Sequence, residues 1–158
     1  MSRITIDNIT NSIDRYKLFY LTCHENQLQD VIDSLGKCKI NSVNIGKELA
    51  MYIEELDDYA YLPIDVYDFL KRTLDDRKSK VSESGNDVVA IYNLGILFEP
   101  RLELNAVQLL RDFSKSSGLI LLWPYEIEDA VKLRWYTQGN SIYFDFTETP
   151  LKQLHYAI

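Results

Sequence analysis

Two continuous apolar runs constrain the fold of this chain more than any other feature of its sequence. Val88–Tyr92 (VVAIY) and Leu119–Trp123 (LILLW) lack polar alternation, and polar residues, glycine or proline bound them. Runs of this kind predict strands that are buried on both faces, as in a parallel sheet covered by helices. We therefore expect a parallel sheet, with Val88–Tyr92 as a central strand.

Helical patterns separate the predicted strands along the chain. The first strand, Leu18–Leu21, follows a helix expected over Asp7–Lys17, and Ile40–Ile45 forms a second strand. Further helices are expected from Thr22–Glu25 through Leu35, over Lys47–Leu56, from Pro63 to Leu74, and after the N-cap Asn105, the last closed by Gly118. This alternation predicts βαβ crossovers and a three-layer α/β fold, with a mostly parallel sheet of about five strands. Alternation at Ile142, Phe144 and Phe146 predicts one more strand near a sheet edge.

Length and composition favour one soluble, cytoplasmic domain over residues 1–158. The chain has 46% hydrophobic and 26% charged residues and a formal net charge of −7, which disfavours direct contact with nucleic acid phosphates. Neither a membrane span nor a secretion signal is expected. Cys23 and Cys38 are too few for a disulfide framework or a zinc site. The polar stretch 75–86 (DDRKSKVSESGN) predicts a flexible surface loop.

The segment after the first strand lacks a phosphate-binding loop. Such a loop needs glycines whose amides wrap the phosphates and a lysine that neutralises them. Thr22 and Glu25 instead have the spacing of a capping box, and Glu25 would repel an anion at a helix start. The degenerate position reads Thr22, Cys23, His24, Glu25, Asn26 and Gln27.

The end of the strand Val88–Tyr92 lacks an acidic residue as well. A nucleotide hydrolase needs an aspartate there to orient magnesium, whereas this chain has Tyr92 and Asn93. Cys23 beside His24 offers a reactive thiolate as a minor alternative to a small buried side chain. We predict no catalytic residue, metal ligand or cofactor. Among eleven tyrosines, those in or beside loops are candidate partner contacts: Tyr59, Tyr61, Tyr67 and Tyr125.

The order of these features resembles a known family. Asn44–Leu49 (NIGKEL), Val88–Glu99 (VVAIYNLGILFE), Pro100–Leu104 (PRLEL) and Leu119–Glu126 (LILLWPYE) are similar to BrxF, the small P-loop proteins of type 3 BREX anti-phage systems. The resemblance implies an additional-strand P-loop ATPase fold, with a phosphate loop after the first strand and a Walker-B aspartate on the third. It also implies a bacterial defence complex that restricts foreign DNA, containing a large ATPase, a methyltransferase and an alkaline-phosphatase-like subunit.

Three functions remain open at this stage. The first is a protein-binding assembly subunit with a degenerate ATPase-like fold, since Thr22–Gln27 and Tyr92 both depart from the family's motifs. The second is an ATPase or nucleotide sensor whose site a partner subunit completes. The third is a regulator that mimics DNA with clustered carboxylates. Other protein subunits are the expected partners in the first case, and homo-oligomers are possible.

Overall fold

A computed structural model describes residues 3–4, 7–81, 83, 85–125, 127–128, 132–137, 140–149, 151–154 and 156–157. The strands are β1 (Arg3–Ile4), β2 (Leu18–Thr22), β3 (Ser42–Asn44), β4 (Ser79–Lys80), β5 (Asp87–Tyr92), β6 (Gly118–Trp123), β7 (Ile127–Glu128), β8 (Lys132–Thr137), β9 (Asn140–Asp145), β10 (Lys152–Gln153) and β11 (Tyr156–Ala157). The helices are α1 (Asp7–Thr10), α2 (Leu28–Lys37), α3 (Ile45–Glu54), α4 (Leu62–Arg77) and α5 (Ala106–Ser114). Short 3-10 turns lie at Glu25–Gln27, Gly95–Phe98 and Pro100–Leu102.

A mostly parallel sheet forms the centre of the fold, as predicted. Its strand order is β10-β2-β6-β5-β3, and each neighbouring pair is parallel. Leu119 of β6 stands between Leu18 of β2 and Val89 of β5. β4 pairs antiparallel with the first residues of β5 and shares that edge with β3. The α/β class and the approximate number of strands are therefore confirmed.

Apolar side chains cover both faces of this sheet. Along β2, Leu18 and Tyr20 join one core cluster, whereas Phe19 and Leu21 join the other. Helices α3, α4 and α5 contribute to the first cluster, and α1 and α2 contribute to the second. Every residue of β6 is buried, which accounts for the unbroken apolar run in the sequence.

The strand predicted near the sheet edge belongs to a separate sheet. β9 pairs antiparallel with β8, and β8 with β7. Two residues separate β8 from β9, and so short a connection permits only antiparallel pairing. Phe144 and Phe146 are buried as the alternation predicts, while the side chain of Ile142 lies outside the described part. Trp123 Nε1 donates to the Arg134 carbonyl at 3.1 Å and attaches this sheet to β6.

Several predicted boundaries are wrong for local physical reasons. α1 ends at Thr10, seven residues before Lys17, and the chain then runs in a turn and extended backbone to β2. α3 begins at Ile45 rather than Lys47, because Asn44 caps it. α5 ends at Ser114, and Gly118 opens β6 instead of closing the helix.

The predicted loop over 75–86 is shorter than the sequence suggested. α4 continues through Arg77, whose guanidinium lies 3.3 Å from the Glu48 carboxylate, and Ser79–Lys80 form β4. This polar stretch has no apolar period in its sequence, and an ion pair and strand pairing give it regular structure instead. Of the described residues in this stretch, 78, 81, 83 and 85–86 stay outside helices and strands.

Candidate functional site

The carboxyl ends of β2, β3, β5 and β6 meet at one edge of the sheet. Ligands of open α/β sheets bind in crevices at this edge. A cleft of about 360 Å³ lies here, between the ends of these strands and the start of α2. It contains residues from both degenerate motif positions, including Cys23, Glu25, Tyr92 and Asn93. The structure therefore brings the two sequence-predicted positions into one site.

The segment after β2 folds into a compact turn. Thr22 pairs with Trp123 as the last residue of β2, and the Cys23 amide donates to the Trp123 carbonyl at 3.0 Å. The His24 amide then donates to Gln27 Oε1 at 3.3 Å, and the Gln27 amide donates to the His24 carbonyl at 2.9 Å. The predicted capping box of Thr22 and Glu25 is wrong, because strand pairing holds Thr22 and moves the helix start two residues on.

Cys23 is a buried thiol at the floor of this turn. Its side chain packs with the cluster that includes Leu21 and Leu122. Burial raises the pKa of the Cys23 thiol to about 11, so the group is protonated at neutral pH. The structure supports the small buried side chain over the reactive thiolate.

Two asparagines join the ends of β3 and β5. Asn44 Oδ1 accepts from the Lys47 amide at 3.0 Å and from Asn93 Nδ2 at 2.8 Å. The Gly46 amide donates to the Asn93 carbonyl at 3.0 Å. Asn93 has φ of 58°, a left-handed conformation that asparagine adopts more readily than most residues. We call this arrangement of Asn44, Gly46 and Asn93 the asparagine clasp.

Gly46 is required by the close packing of the asparagine clasp. A Cβ atom at position 46 would lie 2.4 Å from Asn93 Nδ2 and 2.8 Å from Asn93 Cγ. Sequence reasoning missed this constellation, although Asn44 directly before a helical stretch is a standard N-cap signal. The pairing of Asn44 with Asn93 has no local signal, because it joins residues that are distant in the chain.

The charge of the cleft is unfavourable for an anion. Of the described residues that line it, Glu25 is the charged one, and the others are apolar residues, two asparagines and two tyrosines. A carboxylate at this position repels phosphate oxygens, and in the part of the lining that the structure describes no lysine or arginine offsets it. Within the described ranges, no group of three His, Cys, Asp or Glu residues is placed to hold a metal ion.

The four tyrosines proposed as partner contacts fall into two pairs. Tyr59 and Tyr61 are exposed in the connection between α3 and α4. Tyr67 lies within α4, and its hydroxyl is 3.4 Å from Asp112 Oδ2; burial and this carboxylate raise the pKa of Tyr67. Tyr125 packs edge-on against Trp123, with ring centroids 6.3 Å apart. Tyr59 and Tyr61 are thus the tyrosines of this set whose rings are open to a partner.

Comparisons with known proteins give no relative for this chain. It matches no protein-family model, and neither the curated proteins nor the solved structures give a significant match. The resemblance to BrxF therefore stays a prediction. In the part of the chain that the structure describes, no helix is both long and apolar enough to cross a membrane.

We expect Gly46→Ala to destabilise the protein by about 1–3 kcal/mol, because the new methyl group overlaps the Asn93 amide. Urea unfolding followed by circular dichroism measures this change. Gly36→Ala in α2 is the matched control: a Cβ there meets nothing within 4 Å, and alanine favours the helix by up to about 1 kcal/mol. Equal unfolding midpoints for the two variants would contradict the close packing at Gly46.

The raised pKa of Cys23 predicts a pH dependence of stability. The folded state favours the protonated thiol, so this stabilisation is fully present below the ordinary value of 9.0 and is lost as the pH rises towards about 11. Unfolding free energies of wild type and Cys23→Ala, measured across pH 8–11, should converge as the pH increases. The variant Cys38→Ser, which retains Cys23, should keep the wild-type slope. Parallel curves for wild type and Cys23→Ala would contradict the assignment.

Proposed function

We propose that this chain is a non-catalytic, protein-binding assembly subunit built on the sheet of an additional-strand P-loop ATPase. The strand order supports the ATPase-like part of the proposal. In chain order, the five parallel strands are β2, β3, β5, β6 and β10. If they are numbered one to five in that order, their order across the sheet is five, one, four, three, two. β6, the fourth of them, is thus inserted between β2 and β5, the two strands whose ends hold the phosphate loop and the magnesium carboxylate in that class of fold.

The cleft at the strand ends carries the non-catalytic part of the proposal. Where phosphates would need amides and a lysine, the chain has the His24–Gln27 turn and the Glu25 carboxylate. Where magnesium would need an aspartate, it has Asn93, whose Nδ2 is hydrogen-bonded to Asn44. Both halves of a nucleotide site are replaced by groups that already serve the fold.

The protein-binding part of the proposal rests on exposed aromatic surface. Tyr59 is 59% exposed and Tyr61 is 68% exposed, and both line a groove of about 880 Å³. Tyrosine gives large contact area at a small entropic cost, which is why it is enriched in binding interfaces. With the resemblance to BrxF, these features favour a place in a cytoplasmic anti-phage defence complex.

A titration with a fluorescent ATP analogue and Mg²⁺ tests the missing nucleotide site. We expect no binding tighter than about 1 mM, which corresponds to only about −4 kcal/mol. A titration of Glu25→Gln provides the control for charge, and removal of the carboxylate alone should not create a site. Micromolar affinity of the wild type would overturn the proposal.

Purification of the tagged chain from its native host, followed by mass spectrometry, tests the assembly role. We expect stoichiometric recovery of a large ATPase or a methyltransferase, and loss of that recovery in a Tyr59→Ala/Tyr61→Ala double variant that remains folded. ATP hydrolysis by the recovered complex that Glu25→Lys accelerates would instead favour a site completed by a partner, because the variant replaces a carboxylate that repels phosphate with a lysine that neutralises it. The sheet order and the cleft at the strand ends are the observations that favour this second function.

A further inference from the structure

The groove beside Tyr59 and Tyr61 has an apolar interior. It lies between the end of α3, the start of α4 and the 3-10 turns that follow β5, and Ile53, Leu62, Ile64 and Ile96 contribute to its lining. Ile64 is 61% exposed. Apolar surface of this kind, beside exposed tyrosines, can hold an apolar side chain of a partner.

Carboxylates line this apolar surface and also lie beside it in the chain. Glu54, Glu55, Asp57 and Asp58 immediately precede Tyr59, and all four are exposed. On the opposite wall, Glu99 and Glu103 line the groove. Arg101 also lines the groove, and it offsets the charge of Glu99, whose carboxylate lies 3.4 Å away. Glu103 and the four carboxylates before Tyr59 leave the surroundings of the groove negative. We call this surface the acidic groove; it fits a partner with an apolar anchor and positive charges.

The same chain exposes an element of that description. Ile13 is 98% exposed in the segment between α1 and β2, and Arg15 and Lys17 follow it. Three positive groups lie near the Tyr16 ring. The distances to the ring centroid are 5.4 Å for Arg15, 5.0 Å for Arg111 and 5.7 Å for Lys115. We call residues 13–17 the basic loop.

Acidic groups near the basic loop are already paired. The carboxylate of Asp14 contacts Lys152. Asp112 lies 3.4 Å from Lys115, and Glu148 lies 3.5 Å from Arg111. The loop keeps two positive charges beside an uncovered isoleucine: Arg15 is exposed, and Lys17 is half-buried, with its Nζ donating to the Lys115 carbonyl at 2.9 Å.

The basic loop and the acidic groove lie at opposite ends of the sheet. The loop leads directly into β2 and therefore sits at the amino ends of the parallel strands. The groove is built partly from residues 96–103, which follow β5 at the carboxyl ends. A single molecule cannot bring the two together, whereas a second copy can.

We propose that the acidic groove binds the basic loop of a second copy of this chain, in a head-to-tail contact. The inference rests on the proposed protein-binding function and names one partner for it. Ile13 enters the apolar interior beside Tyr61, while Arg15 and Lys17 face the carboxylates of the rim. The apolar contact supplies affinity, and the charges set orientation and suppress the reverse arrangement. Because the contact joins two different surfaces, each copy keeps one free loop and one free groove.

Sedimentation velocity of the purified full chain tests the contact. From about 1 μM to several hundred micromolar, the range of weak interfaces of small area, we expect the average mass to rise above that of the monomer. Ile13→Asp and Tyr61→Asp should each remain monomeric at every concentration, because both positions are exposed and the changes leave the fold intact. An equimolar mixture of the two variants should form a dimer and nothing larger, since it contains one intact groove and one intact loop.

The mixture separates this geometry from other modes of association. Gln29→Asp, which adds the same charge on exposed α2, should associate like the wild type. A mixture that stays monomeric, or a wild type that stays monomeric throughout, would overturn the inference. A monomeric wild type would leave the proposed function standing, because the nucleotide titration and the purification test it separately.

Discussion

The parallel pairing of β2, β6 and β5 is the constraint on which the rest of this structure depends. Each strand hydrogen-bonds its neighbour over four or five residue pairs, and the side chains between them are excluded from water on both faces. Complete burial of one leucine side chain stabilises a fold by about 1.5–3 kcal/mol, so β6 alone is a large contribution. This pairing also fixes where β2 and β5 end, and it therefore places Cys23 and Asn93 at the same edge.

Sequence patterns predicted the parts of the fold that depend on burial. The runs Val88–Tyr92 and Leu119–Trp123 became β5 and β6, because a strand buried on both faces cannot carry polar side chains. Helix α4 followed its apolar stripe of Val66, Leu70 and Leu74, all of them buried. The order of strands in the sheet had no such signal, because it is decided by crossovers between segments that are distant in the chain.

Boundaries were harder to predict wherever hydrogen bonds rather than burial decide them. Thr22 is of a residue type that commonly caps helices, yet its pairing with Trp123 keeps it in β2. The end of α4 and the strand β4 are polar and have no apolar period. Their structure depends on the ion pair of Arg77 with Glu48 and on the pairing of β4 with β5. The asparagine clasp belongs to the same class, since its cap at Asn44 has a local signal and its partner Asn93 has none. The sequence therefore predicted which strand ends to compare, but not the contacts that join them at the cleft.

The short outer strands of the main sheet bear on the binding role proposed above. At one edge of the sheet lies β10, which has two residues. At the other edge, β5 pairs with both β3, which has three residues, and β4, which has two. Short edge strands expose few unpaired backbone groups, so they disfavour pairing with strands of other chains, which leads to aggregation. For the same reason, a peptide cannot form the long series of backbone hydrogen bonds that strand addition to a sheet edge requires. In the binding role proposed above, the contacts therefore fall to side chains on the helices and loops rather than to the backbone of these described borders.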